Sequence, residues 1–449
     1  MSLEHFDWQR SRFIEAVDAP AMVWHDEVIT NGELLSLWEQ SRKRFASDGI
    51  GAGDVVGILG DFSPAAVAGL LALAELGTVV VPLAHGSIDQ HERFFGIAQV
   101  ERLVVVDDDD RFEVSTVGRR GNHPLLERLR ADDDAGLILF SSGSTGEPKA
   151  ILHALSPLLR KFRKLRRAYR TISFLLFDHI GGVNTLFYTL ANLGCTIVPR
   201  ARTVTAVCEA IQAHRAELLP TSPSFINLLL FADAPSHYDL SSLRLITYGT
   251  EVMPEHTLER AAAAFPNAKL HQTYGLSELG ILRSKSEATD SLFVKVGGED
   301  YQTRISNGTL QIRAKTSMIG YLNADNPFDA EGWFDTGDVV EQKGDYYRIR
   351  GRESDIVNVG GQKVFPAEVE RVIGELPGVI DVVVMGEPHL LLGQVVVAVV
   401  QTTEPRSAIE LKREIGKIAR GRLQPYMVPA KVRVVEDSPV SYRYKKIRR

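Results

Sequence analysis

Residues 141–149 of this chain read Ser-Ser-Gly-Ser-Thr-Gly-Glu-Pro-Lys, and they follow the apolar run Gly-Leu-Ile-Leu-Phe at 136–140. The apolar run predicts a short buried strand, and the glycines predict a loop after it. Glycine lets a backbone approach a phosphate closely, so hydroxyl, amide and ammonium groups can surround the oxyanion. The spacing of Gly143, Gly146 and Lys149 does not fit a Walker A loop. We interpret the segment as a phosphate-binding loop, although its composition alone favours a solvated linker.

Further motifs follow this loop in a fixed order. They are Gln-Thr-Tyr-Gly-Leu-Ser-Glu at 272–278, Phe-Asp-Thr-Gly-Asp at 334–338, Gly-Arg-Glu-Ser-Asp at 351–355, and Gly-Gly-Gln-Lys followed by Pro-Ala-Glu-Val-Glu within 360–370. Together with the loop they resemble the core motifs of the adenylate-forming superfamily, which includes acyl- and aryl-CoA ligases, adenylation domains of peptide synthetases, and luciferases. The resemblance implies an enzyme that uses ATP and Mg²⁺ to convert a carboxylic acid to an acyl-AMP. The acyl group would then pass to a thiol of CoA or of an acyl-carrier protein.

The fold class follows from length and from the alternation of apolar patterns. At 449 residues the chain exceeds one comfortable core. Strand patterns at 55–59, 78–82 and 103–106 alternate with a helical pattern at 64–76, which predicts parallel sheets covered by helices. Near 346–352 the character changes, and two helical and two strand patterns follow, at 367–375, 409–423, 379–385 and 394–400. We predict an α/β protein in which a large N-terminal domain (1–350) has stacked, mostly parallel sheets and a small mobile C-terminal domain (351–449) is α+β.

Composition and charge exclude several other classes of protein. The formal net charge of -6 gives no reason to expect nucleic-acid binding. The longest apolar region, 65–83, contains Glu75 and Gly77 and reads as a helix followed by a strand rather than as a membrane span. Cys195 and Cys208 lack metal-ligand or redox spacing. These features, with the polar residues at 1–8, predict a cytoplasmic protein without a signal peptide.

The resemblance implies roles for individual residues of the nucleotide site. Glu278 would position Mg²⁺, Thr273 would contact the α-phosphate, and Asp338 would bind both ribose hydroxyls. Each residue also has a structural alternative. Glu278 would be favoured at a helix N-terminus, Tyr274 would pack in the core, Asp338 would lie in a turn, and Arg352 would form a surface ion pair. The implied ATP-binding set is Ser141, Ser142, Gly143, Ser144, Thr145, Gly146, Lys149, Tyr274, Asp338 and Arg352.

The catalytic lysine of the superfamily lies near the C-terminus, usually after a glycine. Here residues 442–449 read Tyr-Arg-Tyr-Lys-Lys-Ile-Arg-Arg, so Lys445 stands where glycine is usual. Lys446, directly before isoleucine, matches the catalytic position, and Lys445 is the alternative. A cluster of basic residues at this place is more often a solvated tail.

The acyl pocket is the part of the site that the motifs define least. His179 is interpreted either as a gate over the carboxylate or as a satisfied core histidine, and Asp178 would bind the amino group if the substrate were an amino acid. The implied pocket residues carry no cationic side chain, which disfavours a dianionic acyl group; the short chain favours a small or aromatic acid. The set is Phe177, Asp178, His179, Gly182, Ser222, Tyr248, Gly249, Thr250, Gly275, Leu279 and Gly280.

The resemblance also implies motion of the C-terminal domain. Ser354 would be the hinge residue, and Gly360 and Gly361 would let a pantetheine arm pass. Residues 158–170 are rich in Lys and Arg, and their apolar spacing predicts one face of a helix. That basic face is interpreted as solvated, or as a docking surface for CoA phosphates or an acidic carrier protein. An amino-acid adenylating enzyme, an amide-forming ligase and a non-catalytic AMP-binding protein remain alternatives.

Overall fold

A computed structural model describes residues 6–118, 120–142, 147–436 and 446, without the side chain of Ser142. The chain forms two compact units, each assembled from separate stretches of sequence. Unit 1 comprises residues 1–220, 275–282 and 313–329, and unit 2 comprises residues 221–274, 283–312 and 330–449.

The helices and strands are numbered in chain order. The helices are α1 (Asp7–Glu15), α2 (Asn31–Ser47), α3 (Pro64–Glu75), α4 (His91–Ala98), α5 (Pro124–Ala131), α6 (Leu155–Arg160), α7 (Ile180–Ala191), α8 (Val204–His214), α9 (Pro223–Phe231), α10 (Ala234–His237), α11 (Glu255–Ala264), α12 (Pro366–Gly374) and α13 (Ala408–Ala419). The strands are β1 (Pro20–Trp24), β2 (Glu27–Thr30), β3 (Val55–Leu59), β4 (Val79–Leu83), β5 (Arg102–Val106), β6 (Phe112–Thr116), β7 (Gly136–Ser142), β8 (Pro148–Ala154), β9 (Arg170–Ile172), β10 (Cys195–Ile197), β11 (Leu218–Thr221), β12 (Leu245–Tyr248), β13 (Lys269–Gln272), β14 (Gly275–Leu276), β15 (Gly280–Ile281), β16 (Ser284–Ser286), β17 (Phe293–Val296), β18 (Tyr301–Ser306), β19 (Thr309–Ala314), β20 (Gly320–Tyr321), β21 (Phe334–Lys343), β22 (Tyr346–Arg352), β23 (Val357–Val359), β24 (Gln362–Val364), β25 (Val379–His389), β26 (Gly393–Thr402) and β27 (Lys431–Val435).

Unit 1 contains two sheets whose central strands run parallel. In one, the order is β20-β8-β7-β4-β3-β5-β6, with parallel pairing from β7 through β4 and β3 to β5. In the other, β11, β9, β10 and β1 are parallel neighbours, and β2 pairs antiparallel at the edge. Parallel central strands are buried on both faces, which explains why β3 and β4 read as continuous apolar runs.

Helix α3 lies in the core of unit 1 and is buried along its whole length. It begins because the Ser63 hydroxyl accepts the Ala66 N–H and Pro64 occupies the first helical position, where no N–H is needed. It ends before Gly77, whose φ of 76° is a conformation that glycine adopts without strain. Its small and branched side chains join a hydrophobic cluster with residues of β3, β4, β7 and α7.

Unit 2 combines a parallel pair, β12 and β13, with two further sheets. One has the order β16-β17-β22-β21-β19-β18. The other has the order β24-β23-β26-β25, with β27 parallel to β26, and it packs with α12 and α13 around a separate apolar cluster. This last arrangement is the small α+β fold that the sequence predicts for the C-terminal region, and the predicted α/β class with stacked, mostly parallel sheets is confirmed in unit 1.

The predicted helix face across 158–170 is wrong. Helix α6 ends at Arg160, and the Leu165 side chain is 55% exposed, whereas Leu158, Leu159 and Phe162 are buried. A continued helix would need the Phe162 carbonyl to accept the Arg166 N–H. Instead Arg12 donates to that carbonyl at 3.0 Å, and the Arg166 N–H donates to Asn192 Oδ1 at 2.5 Å.

A second difference concerns α13, which ends at Ala419 rather than at the predicted residue 423. The helix stops where Gly421 adopts a φ of 77°. No helix in the described ranges has the length and apolar character that crossing a membrane requires.

The ion pair between Glu75 and Arg10 provides a test of how burial affects the stability of α3. The Glu75 side chain is only 2% exposed, and its carboxylate accepts two hydrogen bonds from Arg10, at 2.9 and 2.8 Å. We expect Arg10→Ala to lower the free energy of unfolding by about 3 kcal/mol, since it leaves a buried carboxylate without its main cation. Urea unfolding followed by tryptophan fluorescence measures the change.

The matched control is Arg44→Ala, which removes an exposed pair with Asp48 at 2.8 Å one helix away. That change should cost less than about 0.5 kcal/mol. If the two substitutions lowered the free energy of unfolding equally, the burial of Glu75 would not make its ion pair more stabilising than an exposed one.

Candidate active site

In unit 1, Tyr321 connects two of the predicted site residues. Its hydroxyl donates a hydrogen bond to Glu278 Oε1 at 2.9 Å, and its ring lies under the ammonium of Lys149, whose Nζ is 4.9 Å from the ring centroid. Lys149 lies on β8, directly across from Ser141 on β7. The ring therefore places a cation and a carboxylate from distant parts of the sequence around one aromatic group.

The backbone around Glu278 is held by three hydrogen bonds. The His153 Nε2 is 2.6 Å from the Ser277 carbonyl, the Met318 N–H donates to the Glu278 carbonyl at 2.8 Å, and the Thr316 hydroxyl donates to the Leu279 carbonyl at 2.6 Å. Burial lowers the pKa of His153 to about 4, so this ring is neutral at pH 7. These contacts fix the backbone that carries Glu278, the residue to which the resemblance assigns Mg²⁺.

Neighbouring glycines in the same segment allow close backbone approach. A Cβ atom at residue 275 would lie 2.7 Å from the Gly280 carbonyl oxygen, which excludes any other side chain without a shift of the backbone. Gly280 itself has a φ of 77°, and Leu279 is fully buried. These three predicted pocket residues thus form a tight hairpin, β14–β15, beside Glu278.

In unit 2, Asp338 is a buried carboxylate with two side-chain partners. The Tyr274 hydroxyl donates to Asp338 Oδ2 at 2.5 Å, and Arg352 Nε lies 3.4 Å from Oδ1. Asp338 and Arg352 are cross-strand partners in β21 and β22. Burial raises the pKa of Asp338, although the Arg352 charge and the Tyr274 hydroxyl both lower it. Burial and the carboxylate raise the pKa of Tyr274 well above its usual range.

The residues before Tyr274 meet a second predicted segment. The Thr273 N–H and hydroxyl donate to the Tyr248 carbonyl at 2.8 and 3.1 Å. A Cβ atom at residue 249 would lie 2.8 Å from Thr273 Oγ1, so glycine is required there, and Thr250 has a φ of 71°. The structure therefore brings Tyr248, Gly249 and Thr250 together with the predicted α-phosphate contact.

Several predicted pocket residues are occupied by packing or capping. Phe177 is fully buried in the core of unit 1, with its ring centroid 5.3 Å from that of Phe62. His179 caps α7, because its Nδ1 accepts the Gly181 N–H at 3.1 Å, and Asp178 beside it is 6% exposed. A Cβ atom at residue 182 would lie 1.9 Å from the Leu176 carbonyl oxygen, so only glycine fits.

Two pocket residues of unit 2 are likewise buried. Ser222 is the N-cap of α9 and accepts the Phe225 N–H at 3.2 Å. Burial raises the pKa of the Tyr248 hydroxyl, and no described residue hydrogen-bonds this group. A buried hydroxyl without a protein partner is costly, so the Tyr248 hydroxyl is a position where a ligand or water would be stabilised.

Lys446 is held by carboxylates of unit 2. Its ammonium donates to Glu370 Oε2 and to the Val382 carbonyl, both at 2.9 Å, and lies 3.9 Å from Asp381 Oδ1. Its backbone N–H donates to Glu251 Oε1 at 2.8 Å. Burial raises the pKa of Glu251, and the lysine charge lowers it. This acidic pocket seats the predicted catalytic lysine on α12 and β25.

The remaining predicted residues fall into two groups. Ser354 is exposed in a short turn of 3₁₀ helix, and Gly360 and Gly361 form a tight turn between β23 and β24 with φ of 57° and 86°. Both angles are positive, as a two-residue hairpin turn requires. Gly143, Ser144, Thr145, Gly146 and Lys445 lie outside the described residues.

Sequence reasoning missed Tyr321, His153 and the acidic pocket of Lys446. Tyr321 is 43 residues from Glu278 and belongs to no motif that we used. The two acidic residues in α12 were a usable sign, because Glu370 falls on the buried face of an otherwise amphipathic helix. A charge on that face requires a cationic partner.

Comparison with known proteins identifies the class to which this fold and these side chains belong. A profile of the AMP-binding enzyme family matches residues 12–298, and one of the AMP-binding enzyme C-terminal domain matches residues 368–442. The chain therefore belongs to the AMP-binding enzyme family, and the predicted membership of the adenylate-forming enzymes is confirmed.

Individual relatives have low identity but extensive coverage. An indoleacetate–CoA ligase from Aromatoleum aromaticum is 26% identical over 463 residues, which cover 92% of this chain and 90% of the relative. A crystal structure of ATP-bound MatB from Rhodopseudomonas palustris superposes with a TM-score of 0.79 at 21% identity, covering 96% and 95% of the two chains. The anthranilate CoA ligase AuaEII with anthranoyl-AMP has a TM-score of 0.82 at 19% identity, covering 98% and 95%. The two structures share the fold of this chain.

Asp338 gives a prediction with a defined pH dependence. We expect Asp338→Asn to be as stable as wild type or up to about 1 kcal/mol more stable at pH 8, because a neutral amide avoids the cost of burying a charge and can still accept the Tyr274 hydrogen bond. Since burial raises the pKa of Asp338 in the folded protein, the folded state takes up a proton more readily than the unfolded state. Wild type should gain stability as the pH falls through that raised pKa, so the difference should narrow at pH 5.

Thermal unfolding midpoints at the two pH values measure this difference. Asp345→Asn serves as the control, because it removes only an exposed pair with Lys295 at 2.6 Å. A clear loss of stability in Asp338→Asn at pH 8 would contradict the inference that burial of the charged Asp338 carboxylate lowers the stability of the fold.

Proposed function

We propose that this chain is an ATP-dependent acid–thiol ligase that forms an acyl-adenylate and then a thioester. In the first half-reaction a carboxylate oxygen attacks the α-phosphorus of ATP, and the bond to the β-phosphate breaks, releasing pyrophosphate. In the second, a thiolate sulfur attacks the acyl carbon and AMP leaves. The family supports the class of reaction, since its relatives include CoA ligases such as the indoleacetate enzyme.

The observation that carries the proposal is that Tyr321 contacts both residues: the Lys149 ammonium lies over its ring, and Glu278 accepts a hydrogen bond from its hydroxyl. Transfer at phosphorus gathers anionic oxygens, so it needs a cation at the β- and γ-phosphates and a carboxylate that can hold a metal. We assign the first role to Lys149, with Ser141, Ser142 and the loop 143–146, and the second to Glu278. Tyr321 would position both and would contact neither phosphate nor metal.

The residues around Glu278 fit Mg²⁺ as the metal. Magnesium is usually bound by one or two carboxylates together with substrate phosphates, rather than by a cage of protein ligands. Tyr321 occupies Glu278 Oε1, no described side chain hydrogen-bonds Oε2, and the described residues contain no cluster of three or more candidate metal ligands. When bound, the ion would neutralise charge on the phosphates.

Asp338 and its neighbours would hold the nucleoside. A carboxylate has two acceptor oxygens and can bind two vicinal hydroxyls at once. The Tyr274 hydroxyl orients Asp338, and the Tyr274 ring would stack on adenine; Arg352 would add a contact to ribose or phosphate, and Thr273 one to the α-phosphate. Every one of these groups is fixed by a hydrogen bond or a strand pairing within unit 2.

Lys446 is proposed as the catalytic lysine that bridges the attacking carboxylate and the α-phosphate. In this structure its ammonium is bound to Glu370 and Asp381, so adenylation would require the lysine to exchange these two carboxylates for the carboxylate of the acid and the α-phosphate of ATP. We propose that the C-terminal domain, from residue 351 onward, rotates about Ser354 between the two half-reactions. The turn at Gly360 and Gly361 would then line the path of the thiol.

The acid is proposed to be small or aromatic. Relatives that act on indoleacetate and anthranilate support an aromatic acid. The buried Tyr248 hydroxyl, which no described residue hydrogen-bonds, would supply one polar contact to the acid. His179, which caps a helix, would contribute its ring edge rather than act as a freely moving gate.

We further propose a reducing compartment such as the cytoplasm. Cys195 and Cys208 are free thiols, and burial raises their pKa to about 11 and about 12. Buried thiols of high pKa are poor nucleophiles, which suits an enzyme that handles reactive acyl groups.

Pyrophosphate exchange into ATP tests the first half-reaction. With a panel of aryl, short-chain, medium-chain and amino acids, we expect exchange with an aryl acid. Exchange that depends on an amino acid and disappears in Asp178→Ala would instead support an amino-acid adenylating enzyme. No exchange with any acid, while ATP still binds, would contradict the proposal in favour of a non-catalytic nucleotide-binding protein.

Substitution of the catalytic lysine tests its role separately. We expect Lys446→Ala to lower the exchange rate by about 100-fold or more and to leave the Kd for ATP nearly unchanged, because the lysine acts mainly on the transition state. Lys445→Ala is the matched control and should keep most of the activity. A large loss in Lys445→Ala alone would transfer the role to Lys445.

A further inference from the structure

The loop that joins β25 to β26 presents three consecutive leucines to solvent. Leu390 is 104% exposed, Leu391 is 89% exposed and Leu392 is 40% exposed. Single exposed apolar residues are common on protein surfaces, but a run of adjacent ones marks a surface that binds something. The other exposed large apolar residues of the described chain, such as Ile409 on α13, do not form runs.

This leucine loop (residues 390–392) is a built structure. The Leu391 and Leu392 N–H groups both donate to His389 Nδ1 at 3.3 Å, and the Leu392 carbonyl accepts the Gly360 N–H at 2.8 Å. Beside it, the Asn358 N–H donates to Gln394 Oε1 at 2.8 Å. The backbone is therefore tied at three places, while the side chains of Leu390 and Leu391 remain almost fully exposed and that of Leu392 lies over Gly360.

The leucine loop and the glycine turn lie side by side. The hydrogen bond from Gly360 to Leu392 joins them, and Val359 pairs with Gly393 across β23 and β26. The proposed function places the Gly360–Gly361 turn on the path of the thiol, and the present inference rests on that assignment. Whatever covers the leucines would thus lie at the entrance used by the acyl acceptor.

Charges near the leucine loop favour an acidic partner. Lys363 is exposed on β24, next to the glycine turn. Lys431 and Arg433 both pair with Glu387, at the end of β25 close to the loop, which leaves that group with a net positive charge. Apolar side chains bordered by cations complement a protein surface that combines apolar and acidic residues.

We propose that the leucine loop is the docking surface for a carrier protein, so that the acyl acceptor of this ligase is carrier-bound phosphopantetheine. A carrier protein is a small acidic domain that brings the thiol with it, so its contact with the leucines would place the arm at the glycine turn. Free CoA carries the same arm, but its nucleotide end is anionic and gains nothing from apolar side chains. A lipid bilayer could cover leucines bordered by cations, but it would deliver no thiol to that entrance.

The test compares acceptors and does not depend on exchange activity alone. The variant is Leu390→Ser with Leu391→Ser; both side chains are exposed, so the fold should be unaffected. The probes are a holo acyl carrier protein and free CoA, with binding of the immobilised holo carrier measured directly. We expect the variant to raise the Kd for the carrier, and to lower kcat/KM for transfer to it, by about tenfold or more. Pyrophosphate exchange and transfer to CoA should change less than about twofold, since neither needs the loop.

Ile409→Ser is the matched control, because this side chain is 68% exposed on the same domain but away from the glycine turn. It should leave carrier binding and transfer unchanged. An enzyme that transfers to CoA but not to the carrier, or a leucine variant that uses the carrier as well as wild type does, would overturn the inference.

Vesicles test the alternative partner. The probe is a vesicle of phosphatidylcholine and phosphatidylglycerol. The inference would be overturned in favour of a membrane surface if wild type sedimented with the vesicles and the leucine variant did not, while the variant still used the carrier. The docking surface and the proposed reaction can be tested separately. If the carrier bound through the leucines but no acid gave pyrophosphate exchange, the docking surface would be supported and the proposed reaction would be contradicted.

Discussion

The structure is constrained by carboxylates that lie where water is scarce. Moving an anion into a poorly solvated site costs several kcal/mol unless a donor or cation compensates it, roughly at the scale of a domain's whole stability. Several of these carboxylates have a defined partner: a tyrosine hydroxyl for Glu278 and for Asp338, and an ammonium for Glu370. Tyrosine is suited to this task because its ring packs among apolar groups while its hydroxyl donates to the anion. The partner fixes the orientation of the carboxylate before any ligand arrives.

The same requirement explains why the site is assembled from remote stretches of sequence. For a residue adjacent in the chain to donate to the carboxylate, the backbone would have to fold back on itself. A strand or hairpin from elsewhere in the sequence can present a donor side chain to the carboxylate directly. Thus β20 supplies the tyrosine for Glu278, and the strand pairing of β21 with β22 brings Arg352 to Asp338. Within unit 2, Gly249 allows the close approach of Thr273, and within unit 1, Gly275 allows the close approach of Gly280. Lys149, Asp338 and Arg352 lie on strands, whereas Thr273, Tyr274 and Glu278 lie in the short connections after β13 and β14.

Elements with local signals could be predicted from the sequence. The apolar runs of β3 and β4, the serine cap of α3 and the order of the motifs all act over a few residues, so their structure follows from neighbours in the chain. The segment after Arg160 could not be predicted in the same way. Its apolar spacing fits a helix, but Arg12 and Asn192, far away in sequence, take the backbone groups that a helix would use. Like charges at helical spacing weaken the alternative further. Tyr321 could not be predicted for a related reason: the residues next to it in the sequence do not indicate that it contacts Glu278, which is 43 residues away.

Two positions differ sharply in how freely they can change over evolutionary time. Residue 182 is closed to every side chain but glycine, because the Leu176 carbonyl oxygen occupies the space that a Cβ atom needs. The tip of the β25–β26 hairpin is open, since its side chains contact solvent and its shape is fixed by backbone groups and His389. A lineage of such enzymes can therefore exchange the residues at this tip without disturbing the chemistry of activation. Under the proposed docking at this tip, the choice of partner and the activation of the acid become separable traits, and each can change while the other is held constant.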